Sequence, residues 1–357
     1  MNKTITIRDV AEKAGVSVSA VHIALNGKKG VGEEKKVLIK RVAAELGYQP
    51  NAMASMLKQK RKTIAILLPS EEGDNKYFFP QIWQGIHDVI QRQKVNFSYL
   101  EFPYSTANHE QVRTELLKRI QGKEIDGLLT AGHEDVLSEE DWELLESLET
   151  KIVVIHSEKP GRDVLCCIEP NYDVIGRTMA ELISSRIAGY GSIFIAAGNP
   201  KYASHNLVMR GFERYLRENQ IYNMIYRDFS WTMDEINYIH ILREISRPDV
   251  ASCCAVFSQG TILLGRALEE SGKASRLFSL GTDLSEETAR RLKEGIFDNV
   301  IQKNPYAEGY LGLWALIDYF LNGNRPERKI YVGADVVFRS NIEMYQNKNH
   351  TALLLGK

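Results

Sequence analysis

Apolar residues fall at Ile7, Val10, Ala11 and Ala14, the three-and-four spacing that places them on one face of a helix. Thr6 stands where its hydroxyl can cap that helix, and Asp9, three positions on, can answer it in a capping box. Gly15 ends the pattern, because a left-handed terminal residue costs glycine little. Ser17 is placed to cap a second helix over 18–25, which stops at Asn26-Gly27. Two short helices joined by a tight glycine-containing turn form a helix-turn-helix unit. A third helix is expected over 33–46, with Val37, Val42, Ala43 and Leu46 turned inward and Gly47 closing it. Asn51 can cap one more segment, 51–58, but two turns are marginal in water and should form only against a partner.

From Thr63 the period changes. Short apolar runs at 64–68, 97–102, 127–130, 152–155, 193–197, 256–257, 277–280 and 299–302 alternate with amphipathic stretches such as 81–93, 108–120, 172–187 and 203–218. Strands alternating with helices predict parallel sheets covered on both faces. The units outnumber one comfortable sheet, so two α/β lobes are expected behind the all-α headpiece. The resulting division is 1–62 for the headpiece and 63–345 for the rest. Lobe 1 is expected over 63–158 and 290–322, lobe 2 over 159–289 and 323–345.

Ligands of open α/β sheets sit beyond the carboxyl ends of the strands. That rule singles out Phe78, His156, Gln259 and Asp283, which follow apolar runs, and Trp231, which follows an expected edge strand. Carboxylates and amides exchange hydrogen bonds with hydroxyls, and Trp and Phe cover the apolar face of a ring. A sugar or similar polyol fits that combination.

Charge sharpens the division. The chain carries a net charge of -1, yet residues 1–62 hold 13 Lys and Arg against 5 Asp and Glu, and the remainder is correspondingly acidic. Such asymmetry fits a small anion-binding module joined to a solvated acidic domain, and on charge alone it fits a solvated basic face equally well. The four cysteines stand as adjacent pairs, Cys166-Cys167 and Cys253-Cys254, with no C-x-x-C spacing. They read as buried thiols in a reducing compartment, with neither a zinc cage nor a disulfide framework. Charged residues near the N-terminus leave no apolar core for a signal peptide, and no run is long enough to span a bilayer. A cytoplasmic protein is expected, without metal or cofactor. No nucleophile elbow, paired-histidine metal motif, phosphate loop or dinucleotide fingerprint occurs, so an enzyme is not expected.

The strings Thr6-Ile-Arg-Asp-Val-Ala, Ala14-Gly-Val-Ser17, Leu25-Asn26-Gly27 and Glu45-Leu-Gly-Tyr-Gln-Pro-Asn51-Ala resemble the headpiece of the LacI/GalR family of bacterial transcription regulators. The resemblance implies a homodimeric repressor on pseudo-palindromic double-stranded operator DNA, its second helix in the major groove. Thr6, Arg8, Ser17 and Asn26 would grip the backbone, and Val18, Ser19, His22 and Ile23 would face base edges. Asn51, Ala54 and Leu57 would belong to a hinge segment whose leucines wedge open the minor groove. Further along, Leu280-Gly-Thr-Asp283, Gly176-Arg177 and Pro305-Tyr306-Ala-Glu-Gly309-Tyr310 are similar to the family's sensor, which is periplasmic-binding-protein-like. The implied effector contacts are Asp283, Trp231 and Gln259. The chain departs from the family at Ile23 and Ser55, where Arg is common, at Val208, where a sugar-binding Arg is common, and at His156, where Asp is common. A DNA-binding regulator without an effector and a sugar-processing enzyme stand as the alternatives.

Overall fold

The computed structural model describes residues 5–25, 30–48, 61–93, 97–132, 136–187 and 191–346. The expected hinge and the expected DNA contacts Asn26, Asn51, Ala54 and Leu57 lie outside them. The chain divides into two compact units, Met1–Lys60 and Arg61–Lys357.

In the first unit, helix α1 (Ile7–Ala14) starts on a complete capping box: Thr6 N and Oγ1 each donate to Asp9 Oδ2 at 2.6 Å, and Asp9 N returns a bond to Thr6 Oγ1. Gly15 closes it at φ 64. Ser17 Oγ accepts from Ala20 N at 3.2 Å and so caps α2 (Val18–Leu25). Helix α3 (Glu33–Glu45) completes the unit. Val10, Ala11, Ala14, Val21, Ala24, Ile39, Val42 and Ala43 form the core. Val37, expected inside, is 66% exposed. The inward positions of α3 are 39, 42 and 43, and a residue two before Ile39 lies about 200° around the helix, on the solvent side.

The second unit carries two six-stranded sheets. The first has β1 (Thr63–Pro69), β2 (Ser98–Tyr104), β3 (Gly127–Ala131), β4 (Lys151–Ile155), β5 (Cys166–Pro170) and β11 (Lys329–Val332), in the order β11-β5-β4-β3-β1-β2. The second has β6 (Ser192–Ala196), β7 (Ile225–Asp228), β8 (Val250–Ala255), β9 (Phe278–Thr282), β10 (Asn299–Gln302) and β12 (Asp335–Val337), in the order β12-β10-β9-β8-β6-β7. All pairings are parallel except β10 with β12. Strands β3, β5, β6 and β10 are buried along their whole length, as parallel strands between helical layers must be.

These sheets correct the expected lobe limits. Strand β5 belongs to the first sheet and β10 to the second, so the chain crosses between lobes at 170–172, 302–305 and 332–335. Strand β5 carries Glu169 and ends in Pro170, which hid it from a search for apolar runs. The run at 256–257 is likewise no strand: β8 ends at Ala255, and Phe257 caps the helix Ser258–Ser271. All four cysteines are free and buried. Burial pushes the Cys166 thiol up to about 12, so it is an inert packing group.

Each lobe is braced by one helix pair at unusually close approach. In lobe 1 a Cβ on Gly85 of α4 (Phe79–Arg92) would strike the carbonyl oxygen of Tyr306, and one on Gly309 that of Ile82. In lobe 2 Gly176 and Gly211 stand in the same relation to the carbonyls of Val208 and Asp173. Only glycine lets helix backbones meet there.

Candidate effector cleft and nucleic-acid interface

The carboxyl ends of the two sheets flank a cleft of about 310 Å³. All five residues expected from strand-end position line it: Phe78 and His156 from lobe 1, Trp231, Gln259 and Asp283 from lobe 2. Trp231 is 48% exposed and stands at the mouth, after edge strand β7. Gln259 occupies the second residue of the helix Ser258–Ser271, its Oε1 accepting from Ser258 Oγ at 3.1 Å. Tyr104, Tyr202, His205 and Phe257 add further rings to the walls.

The polar centre of the cleft is Asp283. It follows β9 in the left-handed region, φ 64, with its N–H donating to Ile301 O at 2.9 Å. Its Oδ2 lies 3.1 Å from Nζ of Lys303, which follows β10 and also donates to Val256 O at 3.0 Å. Asp283 is 3% exposed and Lys303 4%. Burial raises the Asp283 carboxyl above its ordinary range, against the pull of the Lys303 ammonium and, more weakly, of the Thr282 hydroxyl. Asp283 Oδ1 has no partner in hydrogen-bonding geometry, and neither does the buried Ser204 Oγ in the same wall. Lys303 escaped the sequence reading because its position depends on β9 and β10 lying side by side.

His156 follows β4 at φ 67, with its N–H on Ile168 O at 2.9 Å. Its ring meets Phe78 edge-on, centroids 4.7 Å apart. The hydroxyl of Tyr172 donates to the His156 carbonyl at 2.6 Å, and His156 Nδ1 lies 3.6 Å from Glu308 Oε2. Glu308 is fully buried, with neither oxygen in hydrogen-bonding geometry. Burial, reinforced by the Asp283 and Glu169 carboxyls and opposed by Lys303, holds its pKa well above the ordinary carboxyl range. Periodicity gave no sign of this group, since a Glu in a first helical turn reads as a surface residue.

Near the crossings, Gln302 joins the lobes. Its Oε1 accepts from Leu284 N at 2.8 Å, its Nε2 donates to Gln81 Oε1 at 2.9 Å, and Gln81 donates to Leu284 O at 3.0 Å. Val208, the site of the missing arginine, is 1% exposed beneath Gly176 and does not line the cleft.

On the headpiece, Val18, Ser19 and His22 are exposed on one side of α2 with half-buried Ile23 beside them, while Val21 and Ala24 enter the core. Thr6, Arg8 and Ser17 are exposed around the same unit. Among the described residues, no group of His, Cys, Asp or Glu could hold a metal ion, and no helix is long and apolar enough to cross a membrane.

Residues 6–51 match the profile of the bacterial regulatory proteins of the lacI family, and residues 64–324 match that of the periplasmic binding protein domain. The ribose operon repressor of Haemophilus influenzae is 26% identical over 94% of this chain and 98% of its own length. Catabolite control protein A of Staphylococcus aureus is 24% identical over 61% of this chain and 63% of its own. A periplasmic solute binding protein of an ABC transporter from Actinobacillus succinogenes, solved with bound D-allose, superposes with a TM-score of 0.68. That match has 17% identity and covers 80% of this chain and all of that one.

Proposed function

Because the chain belongs to the LacI family of bacterial regulatory proteins, with a periplasmic-binding-protein domain behind its DNA-binding helices, we propose that it is a cytoplasmic, homodimeric repressor whose operator affinity is set by a sugar-class effector held in the cleft. In this reading Thr6, Arg8 and Ser17 anchor the headpiece on phosphates, and Val18, Ser19, His22 and Ile23 meet base edges. Asn26, Asn51, Ala54 and Leu57 complete the DNA contacts. A recognition face holding Val18 and Ile23 but no Arg favours apolar contact with thymine methyls over bidentate reading of guanine.

The observation that carries the effector half is the free Oδ1 of a buried carboxylate in a cleft walled by aromatic rings. Such an oxygen accepts from ligand hydroxyls, Gln259 supplies an amide, and Phe78 and Trp231 cover the ring face. The ribose operon repressor and the allose-bound protein support the same ligand class. Walls from both lobes let one ligand bias the angle between them, and linkage makes the coupling to DNA reciprocal.

The test is thermal stabilisation of the full chain by pentoses, hexoses and cyclitols, followed by operator binding with the compound that acts. One native-state ligand at a hundredfold excess over Kd adds about 2.7 kcal/mol. Asp283→Ala should abolish both the stabilisation and the sugar's effect on operator affinity, leaving sugar-free operator binding intact. An undiminished response in that variant would make Asp283 structural only.

A further inference from the structure

Among the described residues of the cleft wall, histidines aside, only Asp283 and Lys303 carry a carboxyl or an amino group. Both are more than nine-tenths buried, and they face each other at 3.1 Å. Two of the three Lys303 N–H groups serve Asp283 Oδ2 and Val256 O. The pair therefore presents one unused acceptor, Asp283 Oδ1, beside one remaining donor on Lys303. An acceptor next to a donor matches two neighbouring hydroxyls, one donating and one accepting.

We infer that Lys303, through its pairing with Asp283, is a specificity-determining residue that makes the cleft select an uncharged polyol, an aldose or cyclitol, and reject acidic, phosphorylated and amino derivatives of the same ring. The inference rests on the effector reading above and narrows it. Its physical basis is that the pair is already neutral. A carboxylate or phosphate on the ligand can reach Lys303 only by drawing it from Asp283, which strands a buried carboxylate. Behind that position burial holds the Glu308 carboxyl well above its ordinary range, so the surroundings already disfavour a further negative charge. His156 Nδ1 is turned toward the Tyr172 hydroxyl at 3.2 Å and Glu308 Oε2 at 3.6 Å, so that nitrogen is engaged within the protein. An ammonium on the ligand meets the mirror-image obstacle, because it competes with Lys303 for Asp283. Two hydroxyls use the free oxygen and the free N–H without parting the pair.

The test is calorimetric titration of the full-length protein with matched families. One comprises D-glucose, D-glucuronate, D-glucuronamide, D-glucose 6-phosphate and D-glucosamine. The others are D-ribose with D-ribose 5-phosphate, and myo-inositol with its 1-phosphate. In whichever family the parent binds, the charged members should bind at least about a hundredfold more weakly. In the glucose family the amide, equal in shape to the acid but uncharged, should stay near the parent. Asp283→Asn, which leaves Lys303 without a counter-charge, should shift preference toward the acid or phosphate. Lys303→Met should shift it toward the amine, with thermal melting confirming that each variant is folded. A charged derivative that equals or exceeds its parent overturns the inference and leaves sugar-class sensing standing. Binding by no member of any family overturns the sugar-class reading and the inference with it.

Discussion

On helix α2, Val18, Ser19 and His22 stand in solvent while Val21 and Ala24 are packed beneath them, so one short helix holds both a reading surface and its support. In the cleft, Asp283 and Lys303 are themselves buried, come from the ends of two strands, and leave Asp283 Oδ1 unanswered. The exposed face waits at little cost, because water satisfies it until DNA arrives. The buried oxygen carries a desolvation penalty of about 1–3 kcal/mol until a hydroxyl reaches it. That is the size of a typical coupling energy between two sites. A DNA-reading face can therefore be altered one residue at a time, whereas the cleft residues act as a unit.

The comparison breaks most visibly if the two units are not energetically separate. Val21→Asp puts an unpaired charge into the packed core of the headpiece and should abolish operator binding altogether. Sugar titration of the same variant should be unchanged, and a matching loss there would show that the cleft depends on the headpiece. A smaller effect, confined to the other unit, is expected from Gly309→Ala. The added methyl meets the Ile82 carbonyl and should lower the stability of the two-lobed unit by about 2–3 kcal/mol in urea titration, without changing the helicity of the headpiece. An unshifted midpoint would mean that the helix pair yields freely. The smallest change is Thr6→Ala, which removes one partner of the capping box and should cost the headpiece about 1 kcal/mol in thermal melting. No change there would leave α1 held by its core alone.

What the sequence disclosed follows the same divide. Thr6, Asp9, Gly15 and Ser17 act within three or four residues of themselves, so caps and helix ends were legible directly. Val37 was misplaced because it opens the apolar run of α3, two positions before the inward-facing Ile39. The five residues named from strand-end position all line the cleft, since that rule needs only the ends of strands. Lys303 and Glu308 needed more. Lys303 meets Asp283 because Ile301 and Thr282 are register partners, and Glu308 is buried because its helix starts at a crossing between lobes. Both facts are long-range pairings that no local pattern encodes. The lobe limits failed for the same reason, as β5 and β10 could each have joined either sheet.

The glycine contacts have a mechanical consequence. Helices whose backbones touch at Gly85 and Gly309, or at Gly176 and Gly211, cannot slide without collision, so each lobe behaves as a stiff block. Compliance is then confined to the three connecting strips at 170–172, 302–305 and 332–335. Lys303 lies on the middle one. A ligand that hydrogen-bonds to its ammonium would therefore act directly on one of the strips that join the two blocks.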